Sequence, residues 1–222
     1  MASCGLGSRR KCEELINTGY IKVNGAVIHS PALNIDPAAD SVEYGNKLVT
    51  PKIKVYFLLN KPTGYTCSNE DSHAKKLIIE LLPDNPPVWP VGRLDRETAG
   101  LIILTNDGDL TQKLTHPKYE KSKSYLITVD RPLSDNQLAE LKQGITLEDG
   151  PIRPDNLKIV GGGKYEITVH EGRNRLVRRT FEHFDRRVIA LTRTKLAFLE
   201  INNLTPGQYR ELTEKEIEKL KS

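Results

Sequence analysis

Hydrophobic and polar positions change rhythm near residue 55. Before it, apolar residues come in short groups separated by turn formers. Ser8 stands as an N-cap ahead of Leu15 and Ile16, and Thr18-Gly19 closes the short helix this predicts. Residues 20–23, Asn24-Gly25 and residues 26–28 read as strand, type I′ turn and strand, the strongest short hairpin signal. After an Asp36-Pro37 turn, residues 41–44 and 47–49 around Gly45-Asn46 predict a further strand pair. Residues 1–50 are thus expected to form a small module, joined through 51–54 to a larger domain over 55–222.

The larger part reads as helices and strands together. Residues 55–60 are a buried strand running into the turn Lys61-Pro62-Thr63-Gly64, and 74–82 predict a helix that stops before Pro83. Residues 100–105 are a second buried strand, ended by Asn106-Asp107-Gly108 with a short helix to follow. Residues 123–129 alternate as a strand does, and Ser134 to Gln137 is a capping box opening a helix. Residues 156–160 and 164–169 flank Gly161-Gly162-Gly163 as a hairpin. A helix over 175–184 places Leu176, Val177, Thr180, Phe181 and Phe184 on one face, with Arg175, Arg178 and Arg179 nearer the other. Helices and strands do not alternate strictly, so the expected fold class is α+β with a mixed or antiparallel sheet.

Composition narrows the class. The chain has 222 residues, 37% hydrophobic and 28% charged, a globular mixture in one large domain with a small appendage. No apolar run approaches the ~18 residues of a membrane helix, and residues 1–10 carry no apolar signal core. A cytoplasmic protein without membrane contact is expected. Cys4, Cys12 and Cys67 are an odd set without a C-x-x-C pair, which points to reduced thiols and away from disulfides or zinc. The net charge is only +4, but residues 171–196 hold eight basic side chains against Glu171, Glu182 and Asp185. Seven of the eight are Arg, which suits phosphates and bases, although a solvated helix face has the same composition. A second basic spot, Arg9-Arg10-Lys11, opens the first helix.

Several familiar sites are absent from the sequence. Gly163-Lys164-Tyr165 lacks the rest of a P-loop, the five His have no ligand spacing, and there is no G-x-S-x-G elbow. No metal and no cofactor is expected. What remains is Arg93-Leu94-Asp95-Arg96, ahead of the second buried strand. A carboxylate between guanidinium groups suits a nucleophile or electrostatic stabiliser better than a proton donor, and a charged surface turn reads the same way. Pattern alone leads to an RNA- or DNA-binding α+β protein, enzyme or not.

At these residues the chain resembles the RsuA-type ribosomal RNA pseudouridine synthases. LLNKPTGY (58–65) is similar to the family's first strand and turn, and VGRLDRETAGLIILTNDGDL (91–110) to its signature segment. KSYLITV (123–129) resembles the strand that delivers an active-site aromatic, and EGRNRLVRR (171–179) the segment whose later Arg pairs with the catalytic Asp. The resemblance implies catalytic roles for Asp95, Tyr125 and Arg178, and the pseudouridine synthase fold. GLGSRR with INTGYIKVNG resembles the S-four RNA-binding domain, lacking most of that domain's first helix; Leu176 and Thr180 replace a common Gln and Met. RNA contacts are expected from Arg9, Arg10, Lys11, Arg93, Lys123, Arg173, Asn174, Arg175 and Arg179. The implied activity is isomerisation of a flipped-out uridine to pseudouridine in folded ribosomal RNA, in the large subunit, by a monomer without a small-molecule cofactor. The alternative on the same scaffold is a non-catalytic RNA-binding or ribosome-assembly factor. A DNA-binding regulator lacks a helix-turn-helix context.

Overall fold

A computed structural model describes residues 1–69, 71–83 and 86–222, which fall into two compact units, 1–55 with 86–87 and 56–83 with 88–222. In the first unit, helix α1 (Arg9–Asn17) begins at Ser8, whose Oγ accepts from Lys11 N at 3.2 Å. Strands β1 (Ile21–Val23) and β2 (Ala26–Val27) pair through Asn24 and Gly25, both at positive φ as a type I′ turn requires. Strands β3 (Val42–Tyr44) and β4 (Lys47–Leu48) complete the sheet in the order β2-β1-β3-β4. Leu15, Ile16 and Ile21 form its small core.

The second unit is built on a mixed sheet. Its first half holds β5 (Tyr56–Lys61), β6 (Trp89–Pro90), β7 (Ala99–Thr105), α2 (Gly108–Thr115) and β8 (Lys123–Val129). Helix α3 (Asp135–Gln143) follows, opened by the Ser134–Gln137 capping box, then β9 (Ile145–Leu147), β10 (Gly150–Ile152), β11 (Asn156–Gly161) and β12 (Lys164–Val169). The chain ends with α4 (Leu176–Glu182), β13 (Val188–Leu196), β14 (Leu199–Glu200), β15 (Tyr209–Glu211) and α5 (Glu214–Lys221). Among the described residues the main sheet has nine strands, seven in the order β11-β12-β8-β13-β7-β5-β15, with β14 and β6 joined to β13 and β7. Only β13 and β7 run parallel within it, and the class is α+β. Their close approach depends on Gly100 at φ 110°, where a Cβ would lie 2.3 Å from the Arg193 carbonyl oxygen.

The expected helix over 74–82 is replaced by one short 3₁₀ turn, Ile78–Leu81. Thr66 pairs in parallel with Leu77, and Thr66 N donates to Lys76 O at 3.0 Å, so extended backbone here wins over helical spacing. The apolar residues still find the core, with Ile78 fully buried. No helix among the described residues is long and apolar enough to cross a membrane.

Candidate active site

Asp95 lies on the loop between β6 and β7, and its position is set by a lysine at the end of β5. Lys61 is completely buried, and its Nζ donates to the carbonyls of Thr98 (2.7 Å), Pro62 (3.0 Å), Asp95 (3.2 Å) and Arg96 (3.4 Å). An ammonium with three N–H groups thereby gathers the backbone on both sides of Asp95. Burial pushes Lys61 below the usual lysine range, against the raising influence of Cys67, Glu97 and Asp95. Gly64 N donates to the Arg96 carbonyl at 2.7 Å, and Leu94 N to Cys67 Sγ at 3.3 Å.

Arg178 meets the same loop from α4. Its Nη2 donates to the Glu97 carbonyl (3.2 Å) and Thr98 Oγ1 (3.4 Å), and Nη1 to the Val188 carbonyl (3.3 Å). Its Nε stands 3.8 Å from Asp95 Oδ2, an ion pair without a formed hydrogen bond, and Nε is otherwise unpartnered. The side chain is 8% exposed, against 30% for Asp95. This corrects the helical-face reading of 175–184. Arg178 belongs to the buried side, because carbonyls of two elements satisfy its guanidinium there.

Asp95, Tyr125 and Arg178 line one cavity of about 1060 Å³, together with Arg93, Lys123, Arg173, Asn174 and Arg175. Tyr125 rises from β8 and is 9% exposed. The rest of the expected RNA-contact set divides. Arg173 is held by Glu171 (2.6 Å) and Asp149 (2.8 Å) and by the carbonyls of Gly150 and Pro151. Arg179 does not line the cavity; it grips Asp149 with both Nη atoms at 2.8 and 2.7 Å. Hydrogen bonding from Arg179, with the charge of Arg173, holds the Asp149 carboxyl below the usual range. Arg9, Arg10 and Lys11 are exposed on α1 of the other unit, where Lys11 pairs with Glu14 at 3.0 Å.

Sequence reasoning missed Lys61, Thr98 and Arg193. A lysine closing an apolar strand usually extends its ammonium to water, so nothing local marked Lys61. Arg193 carried a usable signal, since it falls two residues after buried Leu191, where strand alternation calls for an inward side chain.

The result is a carboxylate paired with a buried arginine, lining one cavity with an aromatic ring and further cations, an arrangement suited to a flat base in a polyanion. A profile of the RNA pseudouridylate synthase family matches residues 55–183. An uncharacterized RNA pseudouridine synthase of Aquifex aeolicus is 43% identical over 99% of this chain and 91% of its own. The ribosomal large subunit pseudouridine synthase B of Bacillus subtilis is 39% identical over 100% of this chain and 93% of its own. A crystal structure of a pseudouridylate synthase superposes with a TM-score of 0.72 at 33% identity, covering 99% of this chain and 96% of that one. The chain belongs to the RNA pseudouridylate synthase family, and it is an enzyme that isomerises uridine to pseudouridine in RNA.

Proposed function

We propose that the protein modifies a uridine in folded ribosomal RNA of the large subunit, as the name of the Bacillus relative suggests, acting as a cytoplasmic monomer. The observation that carries the site assignment is the Asp95–Arg178 pair facing the cavity beside Tyr125. A cavity of about 1060 Å³ is just above the roughly 300–1,000 Å³ range of small-molecule pockets, which suits one extruded nucleotide with its flanking backbone. The target base leaves its stack at a cost of a few kcal/mol, offset by backbone contacts. It stacks on Tyr125, a contact worth ~1–3 kcal/mol in comparable sites. Asp95 then presents its carboxylate to the positive charge developing at C1′ as the C1′–N1 bond lengthens. Arg178 keeps that carboxylate in place from the protein side.

Residues 55–222 form the catalytic domain in this reading. Residues 1–50 are an S-four-like RNA-binding domain and 51–54 a linker. Arg9, Arg10 and Lys11 supply phosphate contacts, and Arg93, Arg173, Asn174, Arg175 and Arg179 guide RNA at the cavity rim.

The test uses unmodified large- and small-subunit ribosomal RNA, with pseudouridine mapped by site. Wild type should modify large-subunit RNA alone. Asp95→Asn should abolish product while RNA affinity stays within about threefold, because the amide keeps shape and loses charge. Product from Asp95→Asn would remove Asp95 from its role, and modification confined to the small subunit would overturn the substrate.

A further inference from the structure

The cavity lining carries two cations that the Asp95–Arg178 pair does not use. Arg193 of β13 and Tyr125 of β8 are direct cross-strand partners, and Lys123 precedes Tyr125 by two residues on the same strand. All three therefore share one face of the sheet, and all three line the cavity. Arg193 is 4% exposed; its Nε donates to the Leu101 carbonyl at 2.7 Å, while its buried Nη2 has no hydrogen-bond partner. Lys123 Nζ donates only to carbonyls, of Lys121 at 3.0 Å and His170 at 3.4 Å. Neither side chain is ion-paired with a carboxylate among the described residues. Of the carboxylates lining the cavity, Asp95 is paired with Arg178 and Glu171 with Arg173. Burial, and then the charge of Arg193, pushes Lys123 below its usual range despite the opposing influence of Glu171.

A buried and a half-buried cation side by side, neither ion-paired among the described residues, are unfavourable unless an anion is to arrive. The reaction itself generates one. Cleavage of C1′–N1 leaves the electron pair on the uracil, the ring turns, C5 bonds to C1′, the C5 proton departs and N1 ends protonated. Between the two bonds the negative charge resides on the uracil and is spread over its carbonyl oxygens. We propose that Arg193 and Lys123 bind the carbonyl oxygens of the detached uracil and stabilise its charge while it turns against Tyr125. This rests on the placement of the base at Tyr125 given above. The register of Arg193 beside that ring favours the base over a backbone phosphate as the anion.

Arg193→Gln, Lys123→Gln and the charge-retaining Arg193→Lys are compared with wild type in single turnover at saturating RNA. Two substrates carry uridine or 5-fluorouridine at the target, and loss of the N1-linked nucleoside is measured. Fluorine withdraws electrons, so 5-fluorouracil departs more readily as an anion and depends less on the two cations. The Gln variants should be slower by roughly 10²–10³-fold on uridine, as when one preorganised donor to a developing anion is removed. Their deficit on 5-fluorouridine should be at least about tenfold smaller, following leaving-group acidity. Half-saturating RNA should stay within about threefold, since the interaction forms with the reacting state, and Arg193→Lys should recover most of the uridine rate. Each variant is compared with itself on two substrates, so a loss of folded protein cancels. Equal deficits on both substrates overturn the inference. So does a rise in half-saturating RNA at an unchanged saturating rate, the behaviour of a phosphate site. A wild type that converts neither substrate overturns the proposed function, and the inference with it.

Discussion

Lys61→Met isolates what the buried ammonium contributes to the Asp95 loop. Methionine fills nearly the same volume, so packing is preserved while the donors and the charge are removed. Of the four carbonyls that Lys61 gathers, those of Asp95 and Arg96 have second donors in the backbone N–H groups of Thr98 (3.0 Å) and Gly64 (2.7 Å). The loss therefore falls mainly on Thr98 and Pro62, whose bonds to Nζ are the two shortest, at 2.7 and 3.0 Å. Leaving the buried Thr98 carbonyl without this donor costs about 1–3 kcal/mol, and the part-buried Pro62 carbonyl less. Removing the ammonium also relieves its desolvation, which is several kcal/mol for a buried ion, so the net destabilisation is about 1–3 kcal/mol. For a domain of this size that lowers the melting temperature by roughly 2–12 °C.

The effect on turnover should be larger than the effect on stability. Asp95 is three residues from the strongest Lys61 contact, and a shift of about 1 Å in a reacting group can cost ~10²-fold in rate. The assay pairs thermal unfolding with single-turnover pseudouridine formation at saturating RNA, at a temperature where the variant is fully folded. The expected outcome is a turnover loss of about 10²-fold with half-saturating RNA within about threefold of wild type. A folded Lys61→Met protein with turnover within threefold of wild type would show that the loop holds Asp95 without Lys61, and would refute the reasoning.

Glu216 accepts from both Nη atoms of Arg210 (2.8 and 2.7 Å) and its pKa is held at about 2, below the ordinary 4.5, chiefly by that arginine. Its stabilisation is present above pH 4.5 and is lost as pH falls toward 2; after solvent screening it is about 1 kcal/mol. Acid unfolding of Glu216→Gln should therefore be flatter across that window than in wild type, and parallel curves would exclude this role. Asp149→Asn should release Arg179 for a phosphate, while Glu171 still holds Arg173, steepening the salt dependence of RNA affinity by roughly 0.7–0.9; an unchanged slope would mean that Arg179 does not reach RNA. Replacing Arg9, Arg10 and Lys11 together by Ala should flatten that slope by roughly 0.7–0.9 per lost contact with little change in saturating turnover. An unaltered slope would deny α1 a part in binding.

Most of the scaffold was legible where local chemistry and tertiary packing agree. The strand over 55–60 appears as Tyr56–Lys61, buried along its whole length, and the Asn24-Gly25 hairpin and the Ser134 capping box stand where their residues demand. The expected helix over 74–82 failed because Leu77 is claimed by pairing with Thr66, a partner eleven residues away that helical spacing cannot reveal. β13 was hidden for two reasons. Its alternation is broken by register shifts between Val188 and Ala190 and between Arg193 and Lys195, and one of its buried positions is an arginine. Asp95, Tyr125 and Arg178 were singled out by family resemblance, and the structure brings the three to one cavity. Spacing alone left Asp95 in a charged turn and Arg178 on a polar face. Lys61 was illegible, because its burial is set by carbonyls 34 to 37 residues away.

The arginines of the 171–196 segment do not act as one basic patch. Arg173 and Arg179 share Asp149, and Arg175 reaches Glu182 at 3.5 Å, all in partly exposed pairs. Such pairs contribute about 0–1 kcal/mol each, so an RNA phosphate can take the place of the carboxylate at little cost. Arg178 and Arg193 are buried, with an unpartnered Nε and Nη2 respectively, and each is fixed by backbone carbonyls. Moving either to solvent would break those bonds, so they cannot serve as adaptable contacts. The division follows depth. The exposed cations can trade partners as RNA arrives, whereas the buried ones are fixed: Arg178 faces Asp95, and Arg193 has no ion-pair partner among the described residues. A net charge of only +4 is therefore compatible with local attraction for an anion, because the exposed arginines have carboxylate partners while buried Arg193 has none among the described residues.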